Sequence, residues 1–189
     1  MRLLETGTLL KLVVPMMCSS QEERGGKIVI NGLKIFKNLT LIKENNEYSK
    51  LQIGVNILTN LYKDDSYYKI TNLCIISIGN LCKQSEILDL INKKDDAMCE
   101  EKRGDRGGLF GTMVSKHLED SDSKTQAAIL QMFNYLTNLQ GEAMGEGLKE
   151  SISGKMKKLL FQKQLLAKIV NCFVSLDTNV TTQSLNILM

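Results

Sequence analysis

The sequence predicts an all-α protein, and three observations carry that prediction. Apolar residues recur at three- and four-residue spacing along almost the whole chain, which is the period of a helix. The 189 residues include one proline and one Asn-Gly pair, Asn31-Gly32, whereas strand-and-turn proteins of this size carry several such turn signals. One apolar pattern also returns at an interval near 40 residues, the period of helical-repeat arrays.

About nine helices are expected, over roughly 2–17, 27–42, 48–63, 67–82, 84–93, 109–119, 122–139, 143–152 and 155–176, with a short tail helix after 179. Pro15 should end or kink the first, because it lacks the N–H that an inner turn needs. Ser121-Asp122-Ser123 supplies an N-cap for the 122–139 helix. Gly141-x-x-x-Gly145-x-Gly147 follows that helix and suits its end, since glycine takes the left-handed cap. Two segments break the pattern. Ser19 to Lys27 is polar with two glycines. Asn92 to Gly108 holds ten charged residues and three glycines and reads as an exposed charged insertion, 92–108, within one domain spanning 1–189.

Composition bounds the function classes. With 43% hydrophobic and 24% charged residues the chain suits a globular protein and not a disordered one. The 24 basic and 21 acidic residues leave a net charge of +3, spread along the chain, which is too weak by itself to imply nucleic acid as the partner. No run of apolar residues is long enough to span a membrane. The apolar run Leu9–Cys18 resembles a leader, but Glu5 and Lys11 interrupt it. Five cysteines without a CxxC pair read as free, buried thiols, suited to the cytoplasm or nucleus. The sequons at Asn38 and Asn179 are short enough to arise by chance.

The repeat is the most informative feature. Its copies are Leu33-x-x-Phe36-x-Asn38-Leu39, Val55-x-x-Leu58-x-Asn60-Leu61, Ile75-x-x-Ile78-x-Asn80-Leu81 and Phe133-x-x-Leu136-x-Asn138-Leu139. A weaker fifth is Val170-x-x-Phe173-x-Ser175-Leu176. The apolar positions share one helix face, and the asparagine points off it. Plain amphipathic helices in a bundle would also give such spacings, but the shared Asn-Leu favours a repeat.

These residues resemble the armadillo repeat. Its third helix commonly ends apolar-Gly-Asn-apolar, which Ile78-Gly79-Asn80-Leu81-Cys82 and Leu136-Thr137-Asn138-Leu139 look like. Its second helix commonly opens like Leu4-Glu5-Thr6-Gly7-Thr8-Leu9-Leu10-Lys11-Leu12-Val13. The likeness is degenerate and covers residues 4–92 and 122–176. It implies a right-handed α-solenoid of armadillo/HEAT-like helical repeats. The chain would start at the second helix of a repeat, as a piece of a longer array does. By resemblance, Asn38, Asn80 and Asn138 are the candidate partner-binding residues, since the family's third-helix asparagine bonds a peptide backbone. The family's import receptors add a tryptophan, and this sequence has none. Recognition of basic import signals is therefore in doubt, and the asparagines could equally serve neighbouring loops.

Sites for chemistry are not evident. His117 is the single histidine, it lies in no Cys-His pattern, and it reads as a helix-surface residue. Asp95-Asp96 lacks the alternate spacing of a calcium loop. Gly107–Thr112 lacks the lysine of a phosphate loop. Arg103-Gly104-Asp105 matches an integrin tripeptide by composition alone. Lys155, Lys157, Lys158, Lys163 and Lys168 flank a stripe of Met156, Leu159, Leu160, Leu165, Leu166 and Ile169, which reads as a solvated face backed by core. The expectation is a non-catalytic scaffold that binds a protein, peptide or partner helix, with no cofactor, metal or small-molecule substrate. The alternative is a compact helical bundle that oligomerises or binds nucleic acid, and an enzyme is the weakest of the three.

Overall fold

The computed structural model describes residues 6–19, 23–41, 48–63, 68–101, 108–119, 122–139 and 145–189. Among these the chain is all-helical. Its α-helices are α1 (Thr6–Met17), α2 (Glu23–Leu39), α3 (Tyr48–Lys63), α4 (Tyr68–Leu81), α5 (Ser85–Glu101), α6 (Leu109–Thr112), α7 (Ser123–Thr137), α8 (Glu146–Leu160), α9 (Lys163–Asn171) and α10 (Thr178–Leu188). A wide π-turn, Met113–His117, extends α6, and a 3₁₀ turn, Cys172–Val174, extends α9. None of the helices so described is long and apolar enough to cross a membrane. Where one domain over 1–189 is expected, the contacts fall into two compact units, Met1–Ile87 and Leu88–Met189, with the division in the first turn of α5. Leu4-Glu5, Arg103-Gly104-Asp105 and Gly141 lie outside the described residues.

The first unit is two helical hairpins. α1 packs on α2 and α3 on α4, while α2 also packs on α4 and α1 on α3. The repeat stripe builds its core: Leu33, Phe36, Val55, Leu58, Ile75, Ile78 and Leu81 are at most 1% exposed. Each such side chain is worth roughly 1.5–3 kcal/mol when fully buried. Glycine sets one close approach. A Cβ on Gly54 would run into the Phe36 ring, 2.6 Å from Cε2, so the ring of Phe36 lies against α3 where α3 has no side chain. α1 runs through Pro15 and ends two residues later at Met17, so the hydrogen bond that proline cannot donate is lost from the last turn.

The second unit departs from the expected elements in three places. α5 continues to Glu101, so residues 92–101 are helix and not an exposed insertion. The cause is a buried stripe that carries on into the charged run: Leu88, Ile91 and Met98, with the carboxylate of Asp95 between them, are buried at helical spacing. α8 runs through 153–154 and breaks instead at Phe161-Gln162, where Gln162 is extended. There the buried stripe Ile152, Met156, Leu159 jumps to Leu165, Ile169, Cys172, a slip one continuous helix could not make. That slip removes the fifth repeat copy, because Val170, Phe173 and Leu176 are exposed.

The third departure is His117, which is buried and not on a helix surface. Leu109-Phe110, Met113-Val114 and His117-Leu118 recur every four residues, and all six are buried. A spacing of four exceeds the α-helical turn, and the wider π-turn keeps the pairs on one face. α7 begins as expected, with Asp122 at the N-cap accepting from Thr125 N at 2.9 Å. α7 then packs against both α8 and α10.

Phe36→Ala is expected to cost about 3–5 kcal/mol, because the rigid neighbours leave a ring-sized cavity. Ile35→Ala, at a 39% exposed position one residue away, should cost under about 1 kcal/mol. Urea unfolding of both variants checks the face assignment, and equal losses would refute it.

Candidate functional site

The asparagines expected to bind a partner are placed differently from one another. α2 and α4 end side by side, joined through Thr40 just beyond α2. Asn80 Nδ2 donates to Thr40 Oγ1 at 3.1 Å, and Gln84 Nε2 donates to the Thr40 carbonyl at 3.5 Å. Thr40 Oγ1 in turn donates to the Lys37 carbonyl at 2.6 Å. Asn80 is therefore half-buried, with its amide nitrogen engaged in the joint between helices. Asn38 stands exposed at the same end of the α2–α4 pair, two residues before Asn80's partner Thr40. Asn60 is exposed on α3. In the second unit Asn138 follows α7, exposed, and donates from Nδ2 to Asn134 Oδ1 at 3.0 Å. The structure thus brings Asn38 and Asn80 to one helix-end edge, and Asn138 belongs to the other unit.

The second unit has its own open surface on α8. Two shallow depressions, of about 460 and 520 Å³, meet at Glu150 and Gly154. A Cβ on Gly154 would touch nothing within 4 Å. Lys149, Lys157 and Lys158 line them alongside Glu146 and Glu150, so the face carries both signs of charge. The basic stripe of the sequence is further diluted by pairing. Lys155 bonds Asp95 and Asp96, and Lys168 bonds Glu119. Ile152, Met156 and Leu159 form the buried side, which is the solvated-face arrangement the sequence suggests.

Asp95 organises the clamp beneath that face. Its carboxylate is 1% exposed. Oδ1 accepts from Phe110 N at 2.9 Å, at the start of α6, and Oδ2 pairs with Lys155 Nζ of α8. Lys155 also reaches Asp96 Oδ1 at 2.5 Å and Asn92 Oδ1 at 3.4 Å. Gly108 closes the clamp, donating from N to Cys99 Sγ at 2.8 Å. A Cβ there would collide with the Asp95 carbonyl and stand 2.7 Å from its carboxylate. A second clamp joins the turn after the π-turn to α9: Glu119 accepts from Lys168 Nζ at 2.6 Å and Asn171 Nδ2 at 3.2 Å. Neither clamp has a local sequence signal, because the partners are far apart in the chain. Both are built for holding helices together.

The thiols fit structural roles. Cys74, Cys82 and Cys172 are buried as expected, Cys18 and Cys99 are exposed where burial is expected, and none of the five is in a disulfide. Burial pushes the Cys74 thiol far up, so it stays protonated and unreactive at neutral pH. Burial and the nearby Glu119 also raise Cys172, against the lowering effect of Lys168. Among the described residues no group of three or more His, Cys, Asp or Glu side chains is placed to hold a metal ion. Comparison with family models, with curated proteins and with solved structures found no match to this chain.

Asp95→Ala is expected to destabilise the protein by about 3 kcal/mol, since it strands Phe110 N and removes the buried partner of Lys155. Burial lowers the Lys155 pKa, but its bonds to Asp95 and Asp96 outweigh this and leave it raised above 10.5. A raised pKa means stability that is complete below 10.5 and is lost as pH climbs through the folded value. Hydrogen bonds from Lys168 and Asn171 hold Glu119 below 4.5, so its contribution is complete above 4.5 and is lost as pH falls through the folded value. Urea midpoints across pH should therefore fall at both extremes, and Lys155→Met should flatten the alkaline limb alone.

Proposed function

We propose that this chain is a helical-repeat module of the armadillo/HEAT kind, a right-handed α-solenoid that binds an extended peptide or partner helix and performs no chemistry. The observation that carries this is the joint between α2 and α4. These helices bear the same apolar-x-Asn-Leu signature 42 residues apart, as the positions of Leu33 and Ile75 give it. They lie side by side with their C-terminal ends tied by Asn80 and Thr40. Two hairpins stacked so that like helix meets like helix are the unit from which a solenoid is extended. The corresponding helix ends of successive repeats would then line one continuous surface, and Asn38 is the exposed amide on that edge.

An exposed amide offers both a donor and an acceptor, which is what an extended peptide backbone requires. Its contribution is modest, and the partner's side chains would supply the rest by filling shallow apolar depressions. The absence of tryptophan from the sequence removes the usual aromatic anchors and points away from basic import signals. The partner is thus a protein or peptide whose backbone is read more than its charge.

Asn38→Ala should weaken a peptide selected from an immobilised library of extended sequences by about 5–10-fold, the worth of one or two hydrogen bonds. Fluorescence anisotropy gives the affinity, and the urea midpoint should not move. Asn80 is the poorer probe, since its amide also joins α2 to α4. A selected peptide that binds the Asn38→Ala protein as tightly as the native one would remove this edge from the proposed site.

A further inference from the structure

The stretch from α9 to α10 presents an apolar surface that its own unit leaves uncovered. Leu166, Val170, Phe173, Val174 and Leu176 are exposed along α9, the 3₁₀ turn and the link that follows. Val174 is 84% exposed and Leu176 fully so. Leu166, Val170, Phe173 and Val174 recur at helical spacing along α9 and the turn that extends it, which puts them on one side. α10 packs against the same 3₁₀ turn and adds exposed Leu185 and Leu188. The origin is the stripe slip at Phe161-Gln162. Leu165, Ile169 and Cys172 take the core side of α9, and Leu166 and Val170 are left on the adjoining face.

We infer that this surface is a homodimer interface, in which the α9–α10 face of one chain packs on the same face of a second copy. Two observations select a second copy over other occupants. The first is area. At roughly 150 Å² for a large apolar side chain, the exposed fractions of these seven residues amount to on the order of 600 Å². A standard interface buries about 800 Å² per partner, a little over half of it apolar, so this face alone supplies the apolar share. It also sits at the top of the range of about 300–600 Å² for the largest patch on a monomer.

The second observation is charge. From Ile169 to Met189 the sole charged residue is Asp177, in a chain that is 24% charged. Its Oδ1 is engaged in capping α10, accepting from Asn179 N at 2.9 Å and Val180 N at 3.3 Å. Earlier on α9, Lys168 is paired with Glu119. From Ile169 onward the surface offers little to a charged peptide, a nucleic acid or a lipid headgroup, and it meets its own copy with little like-charge cost. The polar side chains around it are Asn171, Asn179, Thr182 and Asn186, all exposed. Amides and hydroxyls both donate and accept, so each can pair with its own kind across a two-fold axis, as lysine or aspartate cannot.

Sedimentation velocity and light scattering on the full chain test this. The mass should rise from the 21.2 kDa of one chain towards twice that as concentration increases to about 100 μM, above the micromolar constants that interfaces of this size reach or better. Adding about 1 M salt should preserve or tighten the dimer, because no charge pairs hold it. Val174→Asp and Leu176→Asp should each weaken it by about tenfold or more while circular dichroism stays native, since both side chains lie in solvent. Phe161→Asp, at an equally exposed position before α9, should leave it intact. A single-chain mass throughout, a dimer dissolved by salt, undiminished assembly of the two variants, or equal loss from Phe161→Asp would each overturn the inference.

Discussion

The helices among the described residues carry apolar stripes that water would penalise, and other helices have to cover them. In the first unit that constraint is met by the stacking of α2 on α4. Phe36 and Ile78 are both fully buried, each at the same place in its repeat copy. The ends of the two helices are then fixed by the Asn80–Thr40 bond, which sets register more than it adds energy. Without the stack, the two hairpins would each expose half of their core, and a domain of marginal stability does not survive such a loss.

The second unit solves the same problem with more polar means. α5 holds a buried carboxylate in the middle of a charged run, and Asp95 makes that tolerable by serving α6 and α8 at once. A buried ion pair of this sort adds little net stability over an apolar replacement, but losing one partner is costly. Its effect is to specify which helices meet. Gly108 belongs to that specification, because any side chain there would enter the space of the Asp95 carbonyl. Where no polar device or neighbouring helix completes the covering, on α9 and α10, the apolar stripe remains in solvent.

Much of this was legible in the residues. The helical period located α3, α4 and α7 closely, the Asp122 cap marked the start of α7, and the first four repeat copies named side chains that the core uses. The failures have physical causes. The charged run after Asn92 conceals the second half of α5, because composition outweighs the buried positions Asp95 and Met98, and a buried aspartate gives no apolar signal. The break between α8 and α9 is hard to place from sequence because Leu159-Leu160 and Leu165-Leu166 are both apolar pairs, and only burial shows that Leu159 and Leu165 are the core members. His117 reads as a surface residue because a four-residue repeat is not the α-helical period, and its burial follows only from the π-turn. Of the asparagines, Asn38 keeps the exposure that a binding role needs. Asn80 is held in a helix joint that only the tertiary structure brings together.

The stacking of like helices one period apart is the central claim, and a double-mutant cycle across its joint tests it most directly. Thr40→Val and Asn80→Ala should each destabilise the protein, and the double variant should lose less than the sum. The expected coupling is about 0.5–1.5 kcal/mol, the range for residues in one hydrogen-bonded contact. Strict additivity of the two losses in urea unfolding would mean that the ends of α2 and α4 do not meet, and the repeat stack would fall with that contact.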